Sequence, residues 1–267
     1  MSLDQNIIAL VLGILEGATE FLPVSSTGHM IIAGDAMGFT GERASVFEVF
    51  IQLGAILSVF IYYREKFLSM LRRENLVRQD RLSLAHIFFG MLPAMVIGFL
   101  GHSFIKNYLF SAGTVIVGLI VGGLFMLWAE KRHKPITVQH VDQLSMKQCL
   151  QIGLFQVLAL WPGFSRSGST IAGGLYMGVS RKAAADFSFI MAVPIMLIAC
   201  IYDLLKIIDQ LVLSDFIMFA IGFVTAFVVA YASIVWFLKF LNKSSLAGFA
   251  YYRFVVAFVA FVYFFIF

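Results

Sequence analysis

Apolar runs dominate this chain, and two of them are broken by proline and hydroxyl-bearing residues. Residues 7–20 are apolar apart from the acids Glu16 and Glu20, and the run ends at Pro23. Proline lacks a backbone donor and interrupts a helix. A second apolar piece follows over about 28–38. Neither piece reaches the ~20 residues that a spanning helix needs. The pattern therefore predicts a re-entrant helix–loop–helix over 7–38. Irregular backbone at that depth is tolerated only where protein or a water-filled cavity surrounds it. Longer apolar runs predict membrane spans at about 46–63, 84–100 and 110–129. A polar connector, 130–147, comes next. Residues 148–178 repeat the broken pattern around Trp161-Pro162-Gly163, and spans follow at about 184–202, 214–238 and 248–266.

The two halves align at a constant offset of 140 residues. Gly13, Ser25, Gly28, Ile31, Gly34, Met37, Gly38, Ala44, Phe47, Leu57, Ile61 and Tyr62 match Gly153, Ser165, Gly168, Ile171, Gly174, Met177, Gly178, Ala184, Phe187, Leu197, Ile201 and Tyr202. Each half holds one re-entrant element and three spans. An odd number of spans sends the second copy in from the opposite side, so an inverted-topology repeat is expected, its broken helices meeting near the bilayer midplane. The fold expected is one integral membrane domain: an all-α polytopic protein with six transmembrane helices and two re-entrant elements. Repeat 1 covers 1–129 and repeat 2 covers 148–267.

Composition agrees. Of 267 residues, 61% are hydrophobic and 13% charged, against about half and a quarter in soluble domains. Cys149 and Cys200 fall in or beside apolar segments, which reads as buried thiols rather than a disulfide framework. No Lys or Arg precedes Arg43, so a cleaved signal segment is not expected. The net charge of +4 gives no reason to expect nucleic acid as a partner. Placing the 64–83 loop in the cytoplasm puts Arg64, Lys66, Arg72, Arg73, Arg78, Arg81, Lys131, Arg132, Lys134, Lys147, Arg181, Lys182, Lys239 and Lys243 on that side, and Arg43, Lys106 and Lys206 on the other. That asymmetry fits the positive-inside rule. Both termini and the mouth of the first re-entrant element then face outward.

The chemistry lies in the two breaks. Glu16 and Glu20, four apart, project from one helix face. Like charges there repel and must be desolvated. A shared divalent cation resolves this, since Mg²⁺ and Ca²⁺ favour carboxylate oxygens; a solvated pair facing a vestibule is the plainer reading. Ser25, Ser26 and Thr27 can cap the following helix, whose free N–H groups suit phosphate, or can simply satisfy broken backbone. Ser26 can act as a nucleophile beside a base, and His29 as a proton carrier or a nucleophile. The second break, Pro162 to Thr170, carries Arg166 between Ser165 and Ser167. A charge at membrane depth costs about 2.5 kcal/mol or more. Arg166 therefore needs an anion, either phosphate or Glu16 or Glu20. The copies have diverged: Glu16, Glu20, Ser26 and His29 align with Gln156, Leu160, Arg166 and Ser169, so one asymmetric composite site is expected. Glu48 and Gln52 read as helix-end or supporting groups, His86 and His102 as interfacial, and Arg253 as paired or reaching for the surface. Trp128, Trp161, Tyr62 and Tyr63 read as interfacial-belt residues.

The runs Glu16–His29 and Pro162–Thr170 resemble the two signature motifs of bacterial undecaprenyl-diphosphate phosphatases of the bacitracin-resistance family. The resemblance extends through Phe47-Glu48-Val49 and Gln52-Leu53-Gly54. It implies hydrolysis of undecaprenyl diphosphate to undecaprenyl phosphate and inorganic phosphate in the bacterial inner membrane, dependence on Mg²⁺ or Ca²⁺, and a site open to the periplasmic side. Glu16 and Glu20 would hold the metal. Ser26 would attack while His29 handles the proton, or His29 would attack directly, or the metal would activate a water. Arg166 would stabilise the phosphoryl group, with Ser25, Thr27, Ser165, Ser167 and Thr170 binding substrate. A polyprenyl-phosphate transporter or flippase is the rival reading, because inverted repeats with broken helices are a transporter architecture. Gly113, Gly118, Gly122 and Gly123 permit close helix contact, either in a homodimer or within the subunit.

Overall fold

Each break in the hydrophobic pattern separates two short helices, and the unbroken runs are long ones. The computed structural model describes residues 4–72, 76, 80–109, 111–207 and 216–266. Arg73 and Arg78, and the side chains of Lys106 and Lys206, lie outside that description. The first broken element is α1 (Gln5–Thr19) and α2 (Ser26–Ala36). It is followed by α3 (Glu42–Tyr62), a short α4 (Arg64–Met70), α5 (Leu84–Phe104) and α6 (Ala112–Arg132). The second is α7 (Met146–Gln156) and α8 (Arg166–Tyr176), followed by α9 (Arg181–Ile207), α10 (Phe216–Leu241) and α11 (Ala247–Phe265). At 1.5 Å per residue α1 is about 22 Å long and α2, α7 and α8 about 16 Å, all short of a ~30 Å hydrocarbon core. Among the described residues six helices, α3, α5, α6, α9, α10 and α11, are long and apolar enough to cross a membrane. The protein is all-helical and multi-pass, as the pattern predicts.

The broken helices are seated crosswise: α1 packs along α10 and α7 along α5. Glycines permit this. A methyl group on Gly13 would lie 2.8 Å from the Gly222 carbonyl oxygen, and one on Gly17 would lie 2.7 Å from that of Ala226. At the aligned position Gly153, a methyl would overlap the Gly90 carbonyl oxygen. Elsewhere α3 packs on α10 and α9, and α6 on α11 and α8. The glycines of α6 serve this internal packing. Gly118 abuts the Pro162 carbonyl, Gly122 abuts Arg253 and Gly123 abuts the Phe254 ring. Cys149 and Cys200 are buried and free.

The 130–147 connector is pinned at both ends. Glu130 forms an ion pair with Arg181 and accepts from the Leu246 N–H at 2.7 Å. Val138 pairs with Val179 in a parallel bridge. Lys66 donates to Asp142 at 2.5 Å, and the Leu82 N–H donates at 3.0 Å. Burial alone would raise the Asp142 carboxyl. The hydrogen bonds from Lys66 and Leu82, with the Lys66 charge, outweigh it and hold Asp142 below the usual aspartate range. A depressed folded-state value gives stability that is fully present above the unfolded aspartate's pKa of about 3.9 and is lost as pH falls through the folded value. Asp142→Asn is therefore expected to lower the melting temperature of the detergent-purified protein near neutral pH, and to make no difference once acid protonates Asp142. The half-exposed side chain limits the effect to about 1 kcal/mol or less. Equal melting at neutral pH would show that the pair contributes nothing.

Candidate functional site

Both breaks turn through the same unusual backbone. Ser25 (φ 70°) and Ser165 (φ 74°), 140 residues apart, are the positive-φ residues other than glycine among those described. Such conformations cost of order 1–3 kcal/mol and cluster at functional sites. Ser165 caps α8, its hydroxyl accepting from the Gly168 N–H at 3.1 Å. Ser25 precedes α2 without such a bond, and its carbonyl instead receives the ring of His29.

The breaks meet. The Ser167 hydroxyl donates to the Leu22 carbonyl at 2.8 Å, joining the second turn to the first. Arg166 reaches the first half through Nη2, 3.3 Å from Glu20 Oε1. Its Nη1 donates to the Ser188 carbonyl at 3.1 Å, and its guanidinium carbon lies 5.8 Å from the Phe21 ring centroid. The other oxygen of Glu20, Oε2, accepts from the Ser26 hydroxyl at 2.5 Å. One carboxylate thus bridges a serine hydroxyl and a guanidinium contributed by opposite halves. Of the two anions foreseen for Arg166, Glu20 is its partner here.

Glu16 lies one turn before Glu20 and is 4% exposed, and its Oε1 is buried without a hydrogen-bond partner. A buried carboxylate oxygen left unsatisfied is costly. Arg166 Nε is buried and unpartnered in the same way. These orphan atoms, one acceptor and one donor, mark the cluster as built for charged company. Among the described residues, no group of three or more His, Cys, Asp or Glu is placed to hold a metal ion. The donor set on offer is two carboxylates.

His29 is placed differently from Ser26. Its Nδ1 lies 2.8 Å from the Ser25 carbonyl oxygen and its Nε2 lies 2.8 Å from the Tyr252 hydroxyl. The hydroxyl of Ser26 is bonded to Glu20, not to His29. Thr27 sits partly buried in the first turn of α2. Thr170 lies deeper: its hydroxyl bonds to the Arg166 carbonyl at 2.8 Å and to Ser188 Oγ at 2.7 Å. Gln52 accepts from Cys200 at 3.3 Å, and Glu48 is exposed.

Several groups were misplaced or missed by sequence reasoning. Arg253 neither reaches the surface nor meets an acid. It is 0% exposed and donates to the carbonyls of Leu119 (3.2 Å), Gly118 (3.1 Å) and Gly163 (2.7 Å). It therefore clamps the second break to α6. The argument that flagged Arg166, an arginine inside an apolar run, applied equally to Arg253. His86 is buried beside Ser83 in the first turn of α5. Tyr63 donates to Asp186 at 2.6 Å and the Trp161 indole to the Thr114 carbonyl at 2.9 Å, so both are tied into the fold. Tyr252 and Ser188 carried no sequence signal.

A family model described as bacitracin resistance protein BacA matches residues 9–259. The chain belongs to this family. Undecaprenyl-diphosphatase 1 of Bacillus thuringiensis (strain Al Hakam) is 48% identical over 256 residues, covering 96% of this chain and 97% of the relative. Undecaprenyl-diphosphatase 1 of Bacillus anthracis matches to the same extent. The family match spans both breaks, and the cluster of Glu16, Glu20, Ser26 and Arg166 lies wholly within it.

Proposed function

We propose that this chain hydrolyses undecaprenyl diphosphate to undecaprenyl phosphate and inorganic phosphate, in a bacterial plasma membrane with its site facing outward. The observation that carries this is the bridge from Ser26 through Glu20 to Arg166. A serine hydroxyl is weakly nucleophilic until a base takes its proton, and Glu20 is already in hydrogen-bond contact. The close relatives bear the name of this activity, and the asymmetry of Lys and Arg supports the outward orientation.

In this reading Ser26 Oγ attacks the terminal phosphorus while its proton passes to Glu20. The bond to the bridging oxygen breaks, and undecaprenyl phosphate leaves. Water then hydrolyses the phosphoserine, releasing inorganic phosphate and restoring Ser26. Arg166 offsets charge on the transferred oxygens, with Thr27, Ser25, Ser165 and Ser167 binding substrate. Thr170 acts by holding the Arg166 backbone. His29, bonded to the Ser25 carbonyl, fixes the strained turn before Ser26. Direct attack by His29 or by water remains the competing chemistry. Glu16 and Glu20 suit a divalent cation, because Mg²⁺ takes one or two carboxylates together with substrate phosphate; such an ion would neutralise diphosphate charge.

The duplication accounts for the paired serines at positive φ and for the crosswise seating of α1 and α7. It equally suits a transporter of polyprenyl phosphate, but transport has no need of a serine held on a base. The deciding experiment incubates purified protein in detergent with undecaprenyl diphosphate and Mg²⁺. Phosphate release is expected, with a phosphate on Ser26 in rapidly quenched protein by mass spectrometry. Release without a serine adduct would transfer the attack to His29 or water. No release at all would leave the transporter reading.

A further inference from the structure

The mechanism above leaves Tyr252 unused, yet it touches His29, and its neighbour Arg253 holds the other break. Consecutive side chains of α11 thus reach the two halves of the site: Tyr252 Oη lies 2.8 Å from His29 Nε2, and Arg253 Nη2 lies 2.7 Å from the Gly163 carbonyl. We propose that Tyr252 is a positioning residue of the site, setting the tautomer and orientation of His29 by donating its hydroxyl hydrogen to Nε2.

The direction of that bond follows from the inventory of donors. The Ser25 carbonyl can only accept, so Nδ1 of His29 must carry the hydrogen. In the neutral ring the other nitrogen is then an acceptor, and Tyr252 is the donor. The rings are nearly parallel, 8° apart with centroids at 5.6 Å, so the contact restrains the ring plane as well as the nitrogen. The restraint reaches the reacting serine along the backbone. His29 holds the Ser25 carbonyl, Ser25 occupies the strained turn, and Ser26 follows. Arg253, fully buried on three carbonyls, fixes the turn of α11 from which Tyr252 projects. Tyr252 itself is partly exposed, at 45%, at the edge where α11 meets α2.

A second tyrosine of α11 supplies the control. Tyr263 lies eleven residues on, three turns along the same face, and donates to Asp35 of α2 at 2.9 Å. If the tyrosines merely fasten α11 to α2, removing either hydroxyl should have the same consequence. If Tyr252 positions His29, the two should differ. This rests on the hydrolase reading for its kinetic arm only.

The experiment compares wild type, Tyr252→Phe and Tyr263→Phe, each purified in detergent with ¹⁵N-labelled histidine; His29→Asn assigns the signal. Wild type should show His29 as a single tautomer protonated at Nδ1. Tyr252→Phe should move the Nε2 resonance toward that of an unbonded lone pair, and Tyr263→Phe should leave it in place. With undecaprenyl diphosphate, Tyr252→Phe should lower kcat by about 3–10-fold, the worth of one neutral hydrogen bond, with KM unchanged, and Tyr263→Phe should match wild type. An Nε2 resonance unmoved by Tyr252→Phe overturns the proposal. So does an equal kcat effect from the two variants. If wild type releases no phosphate, the hydrolase reading fails by itself, and the resonance still decides the role of Tyr252.

Discussion

Arg166→Ala is expected to abolish measurable phosphate release from undecaprenyl diphosphate, a fall of about 10³-fold or more. The expectation rests on where the guanidinium stands. It is held between Glu20, the Ser188 carbonyl and the Phe21 ring, and it is the cation that reaches the carboxylate bonded to Ser26. Alanine removes the charge offered to the transferred phosphoryl and leaves the Glu20 carboxylate without its ion pair. Lysine should rescue poorly. It keeps the charge but loses the planar fork that contacts Glu20 and Ser188 together. Initial rates over a range of substrate concentrations would show kcat falling far more than KM rises. Activity within tenfold of wild type for Arg166→Ala would remove Arg166 from the site.

Glu20→Gln is the second large effect, and it should register in two independent measurements. The amide matches the carboxylate in shape, so packing is preserved. It cannot take a proton from Ser26, and the loss of such a base slows the reaction by about 10²–10⁴-fold. It also breaks a largely buried ion pair, whose side chains are 15% and 8% exposed. Stranding one partner of a buried pair typically costs about 3–5 kcal/mol, so the melting temperature should drop as well. Adding Ser26→Ala to Glu20→Gln should cost little further activity, because groups acting as a unit are strongly non-additive. If the two losses multiply instead, Ser26 and Glu20 act separately and the shared-proton reading fails.

Much of the fold was legible because membrane depth punishes exceptions. An apolar run of spanning length has few alternatives, so the six long helices lie close to where the pattern placed them. The breaks announced themselves through Pro23 and Pro162, and the charges within them through their cost. The 140-residue offset pointed to the pairing of Ser25 with Ser165 before any backbone angle was known. What escaped were contacts between distant positions on different helices. Tyr252 meets His29 across 223 residues, and no local periodicity encodes that. Ser188 reads as one more hydroxyl in an apolar helix until its carbonyl is found beside Arg166. Ser26 and His29 are three residues apart in sequence, yet in space the Ser26 hydroxyl is bonded to Glu20, six residues back around the turn, and His29 to Ser25 and Tyr252.

The crosswise seating of the short helices bears on how the chain is made. Synthesis runs from the N-terminus, so α1 emerges well before α10, carrying Glu16 and Glu20 on a helix too short to anchor itself across the bilayer. The groove that receives it is formed by α10, more than two hundred residues later. Arg166 is made before α10, but until α10 follows the acids lack their helix seat, and α2 has no α11 to rest against. Contacts that close such long loops form late and slowly. A ribosome that stops before α10 therefore releases a chain with its most polar membrane segment unseated.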